Sequence, residues 1–534
     1  MKKLLKQLLA VTTAIMMAIT LLPAMANAEA TIDYTKKGSI TINKTTGNKD
    51  EGLNGAKFAL YKIADFTNGF NEEDNLLVQI PNKTTKVKDL LDLSESDQKK
   101  VASAFATVVL DENKVDEKTT ETVNGKDGVA VFGKDNNENT LDAGYYLVVE
   151  TDTPQGYVAS TPFFVAIPQA NNTSQFGTEN NTAATGWDYD ITATPKNQKV
   201  TIGKKITSIT GKDTIVNGQA ATVKVGDEVG YTITSISPQY TDEYFNYTNP
   251  DKLPVYKITD TLSSGLQYVA GTLMVKIAGK EEALTEGTDY TLETDDNNIT
   301  ITFKQEFLKN ENYKGKEVTV TYNAKVLPSA AVTNPNTNEV ELSYTNKPGS
   351  ETKGVKSNDI PKLYTYGLKV YKKDSNGAKL TGAKFKLYKV ENKGTDNAQK
   401  KQIKNLAGMD TNGVMTAKKA EVNGEMKDTN EFIFSGLDVG DYELEEVESP
   451  KGYTLLTDTI KFSIGDTQPD GKLDSATGAE IETNTGYAKI NVTNKKGFNL
   501  PSTGGMGTYI FTIGGLVVMA GAVLLLVSSK KKRA

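Results

Sequence analysis

The chain of 534 residues exceeds what a single hydrophobic core supports and has room for about three domains. With no cysteine, no histidine and a net charge of −6, it excludes a disulfide framework, a thiol nucleophile, a Ser-His-Asp triad and His-ligated zinc. Lysines supply nearly all the positive charge and are scattered, with Arg533 the sole arginine, so the clustered basic footprint of a nucleic-acid binder is missing.

At the N-terminus Lys2, Lys3 and Lys6 precede an apolar run from Leu8 to Leu22 and then Ala26-Asn27-Ala28. Charge, apolar stretch and small-x-small cleavage site in that order predict a signal peptide over 1–28 and a secreted chain starting near Glu29.

From about Thr31 to Asn499 the sequence is rich in Thr, Val, Ile, Tyr and Gly, in short alternating segments separated by Asn, Asp and Gly turns. The pattern predicts an all-β protein. The chief exception is Val87 to Leu110, where Ser94 and Asp97 resemble an N-cap and Val101, Phe105 and Val108 fall at helical spacing; a helical insertion in the first domain is expected.

An internal repeat divides the β region. Leu53–Lys62 echoes Leu380–Lys389, and Gly144–Tyr157 echoes Gly440–Tyr453, so the first and third domains are homologous. The intervening stretch, about Lys199 to Lys362, lacks both signatures and is expected to form a second type of β-sandwich. The boundaries that follow are 29–197, 198–362 and 363–499.

In the first strand of each repeat, alternation places Lys44 on a face with Ile40 and Ile42, and Lys372 on a face with Leu368 and Val370. A later strand aligns Glu150 with Tyr146 and Val148, and Glu446 with Tyr442 and Leu444, each followed by a Pro-x-Gly-Tyr turn. The last strands add Asn197, on a face with Ile191, Ala193 and Pro195, and Asn494, with Ile490 and Val492. Each core should therefore receive a lysine, a glutamate and an asparagine.

Burial disfavours both charges, so the lysine can become a neutral nucleophile and the acid a proton donor to the carboxamide. Attack on the asparagine would expel ammonia and leave an isopeptide bond tying first strand to last, restricting unfolding as a disulfide does. The alternative is a buried ion pair beside an unrelated asparagine. In the middle region Lys204 shares a face with Val200, Ile202 and Ile206, and Asp260 with Tyr256, Ile258 and Leu262, making Lys204 and Asp260 the candidate pair there.

Beside Asn197 stands Lys196, which alternation sends outward. Its context runs from Trp187, the single tryptophan, to Pro195-Lys196-Asn197. The C-terminus reads Leu500-Pro501-Ser502-Thr503-Gly504, then an apolar span from Tyr509 to Val527, then Lys530, Lys531, Lys532 and Arg533. Such a span can cross a bilayer with its basic tail inside, holding the pentapeptide just outside.

On these residues the chain resembles the backbone pilins of Gram-positive sortase-assembled pili, across nearly its entire length. The first and third domains are similar to the collagen-adhesin B-type fold, so tandem immunoglobulin-like β-sandwiches are expected. The middle region is similar to the fimbrial isopeptide-forming domain, whose acid is typically aspartate and whose acceptor lies near the start of a late strand; Asn338 fits best, with Asn346 as the fallback.

The resemblance also implies that a pilin-class sortase cleaves between Thr503 and Gly504 and joins Thr503 to Lys196 of another identical subunit. Lys196 lies in a sequence like the pilin motif, although Thr194 stands where that motif carries tyrosine. A housekeeping sortase would transfer the last subunit to peptidoglycan, minor pilins would be partners, and the span would sit in the membrane only before sorting. The implied location is the cell-wall surface, and the chain would be a sortase substrate, not an enzyme, with no cofactor. A monomeric LPxTG-anchored adhesin is the alternative; it would keep every feature except a use for Lys196. The Asp295-Asp296-Asn297-Asn298 cluster could ligate calcium, but a hairpin turn accounts for it and no metal is assigned.

Overall fold

The computed structural model describes residues 33–47, 51–65, 77–80, 83–86, five helical positions between 99 and 106, 114–170, 187–212, 218–295, 297–395, 398–497 and 507–531. Its β content falls into three sandwiches, and contacts group the chain into two compact units, with the first two sandwiches in one and the third in the other.

In the first sandwich, β1 (Ser39–Asn43), β2 (Lys57–Asp65), β3 (Lys126–Phe132), β4 (Gly144–Asp152), β5 (Phe163–Ile167) and β6 (Asp190–Ala193) form two facing sheets. One has β1 between β6, parallel to it, and β3, antiparallel. The other has β4 between β5 and β2. Ile40, Ile42, Phe58, Leu60, Phe132, Tyr146, Val148 and Ile191 fill the space between them.

Strand β4 is apolar on both faces: Tyr146 and Val148 point to the core, while Tyr145 and Leu147 are also buried. A sheet with two apolar faces needs a cover on each. Lys99, Ala102, Ser103, Phe105 and Ala106 are helical, and Ala102 and Phe105 pack on the outer cluster of Ala59, Tyr61 and Leu147. Phe105 meets Phe164 edge-to-face at 5.6 Å. The expected cap at Ser94 and Asp97, with Val101 and Val108, lies outside the described residues.

The middle sandwich contains β7 (Ile202–Ile209), β8 (Glu228–Ile236), β9 (Tyr256–Leu262), β10 (Asn298–Phe303), β11 (Glu317–Val326) and β12 (Asn336–Thr345). Strands β7–β8–β11 make one sheet and β12–β9–β10 the centre of the other. Burial alternates along β9, β10 and β11, as in the buried Val318, Val320, Tyr322 and Ala324 of β11, while β7 breaks the period at a register shift between Ile206 and Ser208.

The third sandwich, described by itself, repeats the first. Strand β13 (Tyr366–Asp374) lies between β15 (Glu431–Leu437) and the parallel β18 (Tyr487–Asn494), while β16 (Gly440–Glu448) lies between β14 (Lys384–Glu391) and β17 (Ile460–Gly465). Placing first and last strands side by side in both repeats is what brings residues more than a hundred positions apart to one end of each core.

Helix α1, Gly507–Lys531, has 25 residues and a length of about 37 Å. Its Leu516, Val517, Val518, Leu524 and Leu525 are exposed. Side chains are described within it at 512–525 and 528, and among the described residues no helix is long and apolar enough to cross a membrane; the apolar span read from the sequence extends past both ends of that stretch.

Candidate functional site

Lys44 ends the inward row begun by Ile40 and Ile42, and its side chain has no solvent exposure. Its backbone N–H donates to the Gly128 carbonyl at 2.6 Å, and its own carbonyl accepts from Leu53 N. Gly128 has φ +78°, and a Cβ there would stand 2.2 Å from the Lys44 carbonyl oxygen. Only glycine lets β3 pass so close to this strand end.

The Lys44 Nζ donates to Glu150 Oε2 at 2.9 Å. The second carboxylate oxygen, Oε1, accepts from Asn197 Nδ2 at 2.7 Å and from Thr153 Oγ1 at 3.0 Å. Ser160 donates to Oε2 from both its backbone N and its hydroxyl. Glu150 thus spans amine and carboxamide, one oxygen to each. Burial pushes the Lys44 amine down to about 8, with the Glu150 charge opposing. Among the described residues the buried Asn197 Oδ1 has no hydrogen-bond partner, although an unpaired buried polar atom costs about 1–3 kcal/mol.

The third sandwich assembles the same residue types with a different internal arrangement. Lys372 Nζ donates to Asn494 Oδ1 at 2.8 Å and to the Val492 carbonyl at 3.1 Å, with Glu446 Oε1 at 3.8 Å. Asn494 Nδ2 donates to both Glu446 oxygens, at 3.0 and 2.8 Å. Burial lowers the Lys372 amine, again against the pull of its glutamate. Here the amine already polarises the carbonyl it would attack.

In the middle sandwich Lys204 on β7 and Asp260 on β9 are in direct contact, with side chains no more than 1% exposed. Burial brings the Lys204 amine down to about 8 and raises the Asp260 carboxyl. Asn338 on β12 is fully buried, and its Oδ1 has no hydrogen-bond partner among the described residues. Tyr322 on β11 completes the group: its hydroxyl accepts from Lys204 Nζ at 3.0 Å and from Asn338 Nδ2 at 2.6 Å, and donates to Asp260 Oδ1 at 2.9 Å.

Asn346 is in another place. Val340, not Asn346, faces Asp260 across β12–β9, and from Val340 to Asn346 the chain climbs about 20 Å. The Asn346 carboxamide donates to the Thr153 carbonyl of the first sandwich and accepts from Ser350.

Lys196 is exposed while Asn197 is buried. The flanking backbone is clamped to Thr45, whose N donates to the Pro195 carbonyl and whose carbonyl accepts from Asn197 N. Lys196 lines a recess of about 820 Å³ with Ser160, Gln198, Gln239, Asp242 and Glu243. Trp187 packs on the first core. Residues 1–28 and Leu500–Gly504 lie outside the described residues. Asp295 Oδ1 accepts from the backbone N of Asn297 and Asn298, so it caps a turn.

Sequence reasoning missed Tyr322, Thr153 and Ser160. Alternation along β11 marks Tyr322 as inward-facing, but nothing local says which lysine it meets. Ser160 has a visible signal: its N–H reaches Glu150 from ten positions on, as Leu456 N reaches Glu446, an offset shared by the two repeats.

Comparison with known proteins covers these modules in chain order. Residues 23–198 match the N-terminal D1 domain of Gram-positive pilin subunits. Residues 225–348 match the Cna-B-like domain of Gram-positive pilin backbone subunit 2. Residues 367–479 match a prealbumin-like fold domain, and 492–533 the LPXTG cell-wall anchor motif. The chain is 26% identical over 444 residues to fimbrial subunit type 1 of Actinomyces viscosus, covering 76% of each chain. It is 28% identical over 421 residues to fimbrial subunit type 2 of Actinomyces naeslundii, covering 74% of this chain and 71% of that one. In fold it is similar to the T6 backbone pilin of Streptococcus pyogenes serotype M6 (TM-score 0.55, 18% identity, 87% of this chain and all of that one). The major pilin SpaD of Corynebacterium diphtheriae is also similar in fold (TM-score 0.50, 22% identity, 88% and 99%).

Pilin-subunit domains in series with a wall-anchor motif mark a surface protein of the Gram-positive cell wall. More closely, the chain is a backbone pilin, a shaft subunit of a cell-surface pilus.

Proposed function

We propose that each sandwich closes one intramolecular Lys–Asn isopeptide bond: Lys44–Asn197 with Glu150, Lys204–Asn338 with Asp260, and Lys372–Asn494 with Glu446. The domains so locked are 29–197, 198–362 and 363–499. The observation that carries this reading is the recurrence of a fully buried lysine with an acid and an asparagine in all three cores. An isolated buried amine and acid would be expensive without a further purpose. Mass mapping of proteolytic peptides tests it: each bond joins two peptides and loses one ammonia, and unlinked peptides in every sandwich would overturn it.

Assembly follows from the exposed neighbour. A pilin-class sortase cleaves between Thr503 and Gly504 and passes Thr503 to Lys196 of the next subunit. The contact is heterologous and does not close on itself, so it propagates as a fibre. A housekeeping sortase would join the final subunit to peptidoglycan, with minor pilins as further partners. The chain acts as substrate, and its only chemistry is on itself. An immunoblot of boiled, detergent-treated wall extract should show a high-mass ladder that Lys196→Ala abolishes. A single wall-linked band in both strains would make the protein a monomeric adhesin, and a ladder in both would move the acceptor to another lysine.

A further inference from the structure

We propose that Tyr322 is a catalytic residue of the middle sandwich, relaying protons between Asp260 and Asn338 while the Lys204–Asn338 bond forms. The inference rests on the bond reading above and goes beyond it, because nothing in that reading requires a tyrosine.

The three clusters differ in how the acid reaches the carboxamide. Glu150 and Glu446 each accept directly from the asparagine Nδ2. Asp260 is one methylene shorter, and its described partners are Lys204 and Tyr322. The Asn338 Nδ2 instead donates to the Tyr322 hydroxyl at 2.6 Å, and that hydroxyl donates to Asp260 Oδ1 at 2.9 Å. The phenol occupies the gap that the longer acid spans by itself.

The ring is fixed for this task. Tyr322 stands opposite Tyr231 in the β8–β11 register, and the two rings stack at 5.6 Å. Burial holds the phenol well above its ordinary value, so it stays protonated and passes protons without resting as an anion.

The steps balance. A proton of the Lys204 ammonium enters the Tyr322 hydroxyl as the phenol proton moves to Asp260 Oδ1, leaving a neutral amine and a neutral acid. The amine attacks Asn338 Cγ, forming the C–N bond. The acid returns its Oδ1 proton to the phenol as the phenol protonates Asn338 Nδ2. The Cγ–Nδ2 bond breaks and ammonia leaves. Asp260 Oδ2 takes the remaining excess proton from the new amide nitrogen. Tyr322 ends unchanged, and Asp260 ends protonated.

The test maps cross-linked peptides of the full-length chain, with the Lys44–Asn197 and Lys372–Asn494 links in the same molecules as internal references. Tyr322→Phe should slow ammonia loss at Lys204–Asn338 about 100-fold or more and leave both reference links intact. Asp260→Glu combined with Tyr322→Phe should recover the link, because a glutamate can reach Asn338 directly. A link that forms in Tyr322→Phe as fast as in wild type overturns the relay. A loss that the added methylene does not repair also overturns it, since that marks Tyr322 as packing only. Wild-type peptides that run unlinked at Lys204 and Asn338 overturn the underlying bond reading instead.

Discussion

Burying Lys44 lowers its amine to about 8 from the ordinary 10.5, which makes the residue a nucleophile and also links stability to pH. In an Asn197→Ala chain Lys44 stays unlinked. Between those two values the unfolded chain holds a proton at Lys44 that the folded chain has released, so stability rises with pH across the window. It is lost as pH falls from 10.5 to about 8, and below that both states carry the cation and the dependence ends. Thermal melts from pH 7 to 10 should show this rise in Asn197→Ala and not in Lys44→Met combined with Asn197→Ala. Removing the acid has a different effect. Glu150→Ala should abolish the first cross-link and strand a buried amine, destabilising that sandwich by about 3–5 kcal/mol in denaturant titration. Retention of the cross-link in that variant would refute the role given to Glu150.

At the scale of elements, period-two alternation made Lys44, Glu150 and Asn197 legible as inward-facing, and the repeat made Lys372, Glu446 and Asn494 their counterparts. Strand order was not legible, because the parallel pairing of β1 with β6 joins positions about 150 residues apart through contacts that local pattern does not record. The same limit hid Tyr322, which meets Lys204 at a separation of 118 residues. The helical insertion was partly legible from its spacing, and its purpose is explained by the doubly apolar β4. Cross-linking first strand to last closes a loop of 122 positions in the third sandwich, worth about 5 kcal/mol of unfolded-chain entropy. Asn494→Ala should lower that sandwich's calorimetric midpoint by about 10–20 °C. An unchanged midpoint would mean that the bond does not constrain unfolding.

For the whole molecule, what matters is where tension enters and leaves a polymerised subunit. If Thr503 is joined to the next subunit and Lys196 to the previous one, force runs along the backbone between them except where a cross-link offers a shorter covalent route. The proposed Asn494–Lys372 and Asn338–Lys204 bonds would be two such routes, and together they would bypass nearly all of the third and middle sandwiches. The proposed Lys44–Asn197 bond would lie outside this route, because the chain passes from Lys196 through Asn197 directly to Lys204. That bond would instead fix the segment beside Thr45 on which Lys196 is presented. Single subunits stretched between Lys196 and Thr503 should therefore respond differently to three asparagine substitutions. Asn494→Ala should release about 400 Å of hidden length and Asn338→Ala about 450 Å. Asn197→Ala should release none. Extra extension in Asn197→Ala would place the first sandwich on the load path and point to a linking lysine N-terminal to Lys196.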